Sequence, residues 1–326
     1  MIKRLGLATA SVAFVCAGLL GKVAFAADSY PERAVTVYVG FAPGGATDLL
    51  ARYYADQLSQ ELGKAFVVEN RAGAGGNLAI QLLTHAEPDG YTIAMGANYI
   101  ASNAALGRNQ YDWESELDPI ALIAATPNIL VLPPDTKFDS VEEIIQAGKE
   151  EDSFLTFGSA GVGSSIHLSG ELFKVMTGID MTHVPYKGVT PAELALMGGE
   201  VDMMFGSPSN EVPLVESGKL KALAITGLER MAALPDVPTL DELGLTGFNV
   251  GASYVLVAPA GVPQDVIDTL ERAVENINSQ DKTIEFTNRL YASPLRGGPN
   301  KARDFLKQEN EKWVNVVKET GLTIDE

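Results

Sequence analysis

Two rhythms of apolar and polar residues alternate along this chain. Short apolar runs of strand length trade places with stretches whose apolar residues recur every three or four positions, as on one face of a helix. The run 35–39, Val-Thr-Val-Tyr-Val, predicts a strand. It ends in Gly40-Phe41-Ala42 and a Pro43-Gly44-Gly45 turn. A helix then follows over 46–62, with Leu49, Leu50, Tyr53, Tyr54, Leu58 and Leu62 on one face. A strand at 66–69, a Gly-rich loop from Asn70 to Asn77, a helix through Leu82 and Leu83, and a strand at 91–95 come next. This β-α-β-α-β order implies a parallel sheet covered by helices.

The same grammar repeats after an apolar stretch at 120–132. Asp139-Ser140-Val141-Glu142-Glu143 starts a capped helix, and strands follow at 155–157, 181–184, 201–205 and 222–226. The helices between them run to about Met176, over 191–197 and over 208–217. After Pro235-Asp236-Val237-Pro238 the pattern gives a strand near 254–258 and helices over 263–278 and 299–320. The reading is two α/β units crossed twice by the chain: 27–125 plus 227–326, and 126–226.

The first 26 residues stand apart. Lys3 and Arg4 precede an apolar segment from Leu5 to Leu20, and Ala24-Phe25-Ala26 has the small-x-small pattern of a signal-peptidase site. Export to the periplasm with cleavage after Ala26 is expected. Cys16, the only cysteine, follows Val15 rather than the small residue a lipid-attachment site needs, and cleavage removes it. The exported chain then has no thiol or disulfide chemistry. Loss of Lys3, Arg4 and Lys22 moves the formal charge from −18 to −21. Such a chain is not expected to bind nucleic acid or an anionic membrane surface. An anionic solute would have to be held by local backbone dipoles.

Two loops supply such dipoles. The first, Gly40 to Thr47, joins a strand to a helix N-terminus. The second, Gly158-Ser159-Ala160-Gly161-Val162-Gly163-Ser164-Ser165-Ile166-His167, does the same in the other unit. Glycines allow close backbone approach, and free first-turn amides attract anions. Ordinary βα turns and helix capping by Ser164 or Ser165 are the structural alternatives. A dinucleotide loop is disfavoured because no acidic residue ends the next strand. Asp48, in the first helical turn, either caps amides or accepts a ligand ammonium group. Asn98 and Tyr99 follow the 91–95 strand on the ligand-binding edge of the sheet.

His85, His167 and His183 are the only histidines and lack metal-ligand spacing, so neither a metal nor a cofactor is expected. Ser164 and His167 suggest a hydrolase as the enzymatic alternative, without a G-x-S-x-G elbow.

Six segments, in order, resemble the Bug-type (TctC-like) receptors of tripartite tricarboxylate transporters. They are Tyr30-Pro31-Glu32-Arg33 with Phe41 to Asp48, Val68 to Asn77, Pro88 to Thr92, Ser159 to Leu168, His183 to Gly188, and Leu234 to Thr239. The resemblance spans the whole exported chain. It implies two doubly wound α/β domains joined by a two-strand hinge, the periplasmic-binding-protein type II architecture. It implies a non-enzymatic, monomeric receptor that closes on a di-, tri- or aromatic carboxylate and presents it to integral-membrane transporter subunits. A sensor docking onto a signalling protein is the alternative. The ligand carboxylate would be gripped by amides of Phe41, Ala42 and Gly45 to Thr47, and of Ser159, Ala160, Ser164 and Ser165. Gly44, Asp48, Asn98, Tyr99, His167, Tyr186, Gly206 and Ser207 complete the expected site. At Gly206 the family often has Asp or Asn, so this chain is expected to offer more room and no acceptor there.

Overall fold

The computed structural model describes residues 30–320, and the expected signal peptide lies outside the described residues. The first unit begins with β1 (Val35–Val39), α1 (Ala46–Leu62), β2 (Phe66–Asn70), α2 (Asn77–Thr84), β3 (Thr92–Ala97) and α3 (Tyr99–Ala105). A short α4 (Trp113–Glu116) leads into β4 (Leu117–Pro127). The chain then enters the second unit: β5 (Ile129–Leu132), α5 (Val141–Gly148), β6 (Thr156–Ser159), α6 (Ser165–Thr177), β7 (Thr182–Pro185), α7 (Val189–Met197), β8 (Met203–Gly206), α8 (Pro208–Glu216) and β9 (Lys221–Ile225). It returns through β10 (Gly251–Pro259) and ends with α9 (Gln264–Asn278), α10 (Asp281–Arg289), β11 (Ser293–Pro294) and α11 (Pro299–Thr320).

The apolar stretch at 120–132 is thus two strands in two different sheets. The break falls at Pro127-Asn128, where proline removes a ladder donor. The first sheet has the order β11-β4-β10-β3-β1-β2 and the second β7-β6-β8-β5-β9. In the first, β1 lies parallel to β2 and β3; in the second, β6 lies parallel to β7 and β8. The parallel order expected for the β-α-β runs holds in these strands; β11 runs antiparallel to β4, and the order is also interrupted at β10 and β5. Each enters from the opposite unit and runs antiparallel to its neighbours.

Local sequence sets the helix ends. Gly63, in the left-handed region at φ 72°, closes α1 by donating its amide to the Ser59 carbonyl. The Ser140 hydroxyl accepts from the Glu143 amide at the start of α5. Leu50, Tyr54 and Leu58 of α1 lie buried on the first sheet. Phe157, Phe173 and Phe205 fill the second core. Each such side chain contributes about 1.5–3 kcal/mol by leaving water.

The two cores meet. Met231, Leu234, Leu240, Phe248 and Val250 all pack in the second core, although they follow its last strand. The C-terminal helix serves both: Ala302 and Leu306 of α11 pack in the first core, and Trp313, one turn and more beyond, is fully buried in the second. The Trp313 indole donates to Glu309 Oε1 at 2.8 Å, and Asn98 Nδ2 donates to the same oxygen at 3.1 Å. Asn98 also donates to the Gly251 carbonyl and accepts from the Ser253 amide, at the start of β10.

Trp313→Ala should therefore cost about 3–5 kcal/mol of unfolding free energy, the range for deleting a buried aromatic side chain. Urea unfolding followed by circular dichroism measures it. A loss under about 1 kcal/mol would mean that α11 does not join the two cores.

Candidate functional site

The cavity between the units is made where five helices begin, α1, α3, α6, α7 and α8. Phe41, Gly45, Ala46 and Thr47 line it from the β1–α1 loop, and Ala97, Asn98 and Tyr99 from the end of β3. Ala160, Ser164, Ser165 and Ile166 line it from the β6–α6 loop, Val189 from the start of α7 and Ser207 from the end of β8. Asn128, Ala252 and Tyr254 come from the strands that cross between the units. No charged side chain is among them. The accessible volume is about 40 Å³, room for a few water-sized groups.

Two first turns face this space. Gly45 caps α1 without a side-chain hydrogen bond, so the amides of Ala46 and Thr47 have no intrahelical acceptor. Ser164 caps α6 through its hydroxyl, which accepts from the His167 amide at 3.3 Å; the amides of Ser165 and Ile166 have none. The Tyr99 hydroxyl is buried with no hydrogen-bond partner. Burial pushes its pKa up, so it stays a protonated donor. Its ring packs edge-on to Phe41 at 5.6 Å.

The units touch on either side of the cavity. The Ala42 amide donates to the Lys187 carbonyl at 3.0 Å, and Asn103 Nδ2 donates to the Gly163 carbonyl at 3.3 Å. A Cβ on Gly75 would lie 1.9 Å from the Val162 carbonyl oxygen, so only glycine permits this approach. The structure is that of a closed cleft.

Of the residues expected at the site, Phe41, Gly45, Ala46, Thr47, Asn98, Tyr99, Ala160, Ser164, Ser165 and Ser207 lie on the cavity wall. Seven do not, each for a visible reason. Ala42 spends its amide on Lys187, and Gly44 donates its own to Asp48. Asp48 is 2% exposed and turned into its own loop, where it also accepts from Arg52 and Asn70. Burial works to raise its pKa, but these three bonds hold the carboxyl below the ordinary value. Asp48 therefore shapes the loop rather than receiving an ammonium group. Ser159 is fully buried and turned toward His183, at 2.6 Å. Tyr186 reaches outward to Glu200.

His167 is also turned away. Its Nδ1 accepts from the Gly163 amide at 2.9 Å, and its Nε2 faces Glu171 at 3.6 Å. Ser164 bonds the His167 backbone and not the ring. The hydrolase pairing of Ser164 with His167 is thereby excluded: neither ring nitrogen is positioned to take a proton from that hydroxyl.

Gly206 does not open the cavity. A Cβ there would lie 2.1 Å from Glu211 Oε1, because the Glu211 carboxyl already fills the space. Glu211 is fully buried, and both its carboxyl oxygens lack hydrogen-bond partners. The expected freedom at position 206 is thus taken up by the next helix. Sequence reading also missed Asn128, Tyr254 and Val189. For Asn128 the signal was present: Thr126, Pro127 and Asn128 interrupt the 120–132 apolar run.

Burial, reinforced by Glu193, pushes the Glu211 carboxyl well above the ordinary glutamate range. A group whose folded pKa is raised keeps its proton when the unfolded chain has lost it. Stability then falls as pH rises above the unfolded value, by up to about 1.4 kcal/mol per pH unit. Glu211→Gln should remove this slope and gain stability relative to the parent as pH rises from 5 to 8. Thermal unfolding across that range checks it; parallel parent and mutant profiles would show that Glu211 ionises freely.

A model of the tripartite tricarboxylate transporter family receptor matches residues 50–322. Among solved structures, the periplasmic binding protein BugD is 33% identical, with a TM-score of 0.85 over 90% of this chain and 99% of its own. An R. palustris protein with adipate has the same identity, score and coverage. MatC from Rhodopseudomonas palustris, with bound malate, is 34% identical at a TM-score of 0.84, over 88% of this chain and all of its own.

Proposed function

Because the chain belongs to the tripartite tricarboxylate transporter receptor family, and is a binding protein rather than an enzyme, we propose that it captures a small organic carboxylate in the periplasm and delivers it to the membrane subunits of such a transporter. The observation that carries this reading is the pair of helix N-termini, α1 and α6, facing one cavity whose wall has no charged side chain. Each N-terminus carries partial positive charge and donors. One ligand carboxylate bridges the amides of Ala46 and Thr47 to those of Ser165 and Ile166. Malate and adipate in the relatives support a dicarboxylate.

Capture works by closure. A ligand touching both units binds the closed state better and draws the population toward it. We place the hinge at Asn128 and at Val250–Gly251. Packing of Met231, Leu234, Leu240, Phe248 and Val250 with the second core supports a second crossing there.

Thermal shift against malate, adipate, citrate, benzoate and the uncharged diamides of the first two tests the ligand class. A ligand at one hundred times its Kd adds about 2.7 kcal/mol to native stability, a rise of roughly 4 °C for a chain of this size. The acids should raise the melting temperature and the diamides should not; equal responses would remove the anion argument. Gly45→Val tests the loop. An added Cβ meets Val189 at 3.6 Å, so the further methyls of valine press across the cleft. Calorimetry should show binding weakened by at least ~10-fold, about 1.4 kcal/mol, with the melting transition kept. Unchanged affinity would place the ligand elsewhere.

A further inference from the structure

Behind the second glycine loop lies a histidine pair that the cavity does not use. The rings of His167 and His183 stack at 3.8 Å with 24° between their planes, and Phe157 covers His183 at 4.9 Å. Both histidines bond the loop. His167 Nδ1 accepts the Gly163 amide at 2.9 Å. His183 acts through Ser159: the Ser159 hydroxyl accepts from the Gly161 amide at 3.0 Å and lies 2.6 Å from His183 Nε2.

We propose that His167 and His183 are positioning residues for the cleft, holding the loop between β6 and α6 by its two glycine amides so that the first-turn amides of α6 face the cavity. The glycines sit at φ 121° and 82°, in the left-handed region that side chains avoid. Their amides would otherwise be buried donors without partners, each unpaired one costing free energy. With Gly161 and Gly163 tied back, Ser165 and Ile166 keep their amides for the cavity. The fastening also reaches across the cleft, because the carbonyl of the same Gly163 accepts from Asn103 of the first unit.

The arrangement fixes the tautomer of His167. An Nδ1 that accepts is unprotonated, so neutral His167 carries its proton on Nε2, toward Glu171. The Ser159 oxygen accepts from Gly161 and keeps a second lone pair, so its contact with His183 Nε2 serves either tautomer of that ring. A protonated His167 would set two donors, Nδ1–H and the Gly163 amide, against each other. The charged groups around the pair are Glu171 and Lys174 on α6 and Arg108 after α3. Burial pushes both imidazoles down; for His167 it opposes Glu171, while for His183 the neighbouring His167, Lys174 and Arg108 add to it. Both rings therefore stay neutral through the physiological range.

The role in the cleft rests on the proposed carboxylate site, but the geometry is testable without any ligand. The chain has only three histidines, so nitrogen-resolved NMR of the imidazoles in the full exported chain reads each ring. His167 should show the neutral Nε2–H form at pH 7 to 8. The Nδ1–H form, or a protonated His167 ring in that range, would overturn the proposal. His167→Phe keeps the stack and loses the acceptor. It should speed hydrogen exchange of the Gly163 amide by at least ~10-fold and shift the Ser165 and Ile166 amide signals, with the melting transition retained. His167→Gln, which can still accept, should restore both. Ser165 and Ile166 signals unmoved in the Phe variant would reduce the pair to core packing. If no carboxylate stabilises the parent, the ligand assignment fails while these NMR outcomes still decide the loop.

Discussion

The site depends on two backbone loops approaching more closely than side chains allow. Helix N-termini project their donors only a short way, so α1 and α6 can share one anion only if their loops nearly touch. The structure meets that condition with backbone: Ala42 bonds Lys187, Asn103 bonds Gly163, and Gly75 lies beneath the Val162 carbonyl. Each loop is braced from behind by side chains that never reach the cavity. Asp48, held by Arg52 and Asn70, braces the first; the stacked histidines brace the second. Hydrogen bonds of this kind are individually modest, but they keep polar groups satisfied where water cannot enter.

That division of labour resolves the charge problem. A chain with a formal charge of −18 has no general attraction for a carboxylate, and no lysine or arginine lines its cavity. Screening confines surface carboxylates to an influence of about 8–10 Å. Inside the closed cleft the helix termini are the near field, and their donors need no reorganisation when the ligand arrives.

Most of the fold was legible because periodicity reports burial directly. The pattern over 35–39 and 46–62 matches β1 and α1 residue for residue. It failed where a strand is buried on both faces: the 120–132 run has no alternation, so periodicity does not report the sheet change, which only the interruption at Thr126-Pro127-Asn128 marks. The antiparallel entry of β5 and β10 is likewise a tertiary fact. At the site, sequence placed the two loops but not the aim of their side chains. Asp48, Ser159 and His167 lie in the right segments and point away, and Glu211 fills from the next helix the space that Gly206 leaves. Such outcomes are set by packing between elements far apart in sequence, which spacing along one element does not encode.

The central claim is that a carboxylate is held between the first turns of α1 and α6. A crystal structure of the exported chain grown with malate or adipate tests it most directly. The account predicts one carboxylate within hydrogen-bonding distance of amides from both Ala46–Thr47 and Ser165–Ile166, with the two loops in contact as here. A ligand held by side chains alone, or bound in the groove behind the crossing strands near Arg230 and Lys312, would contradict it.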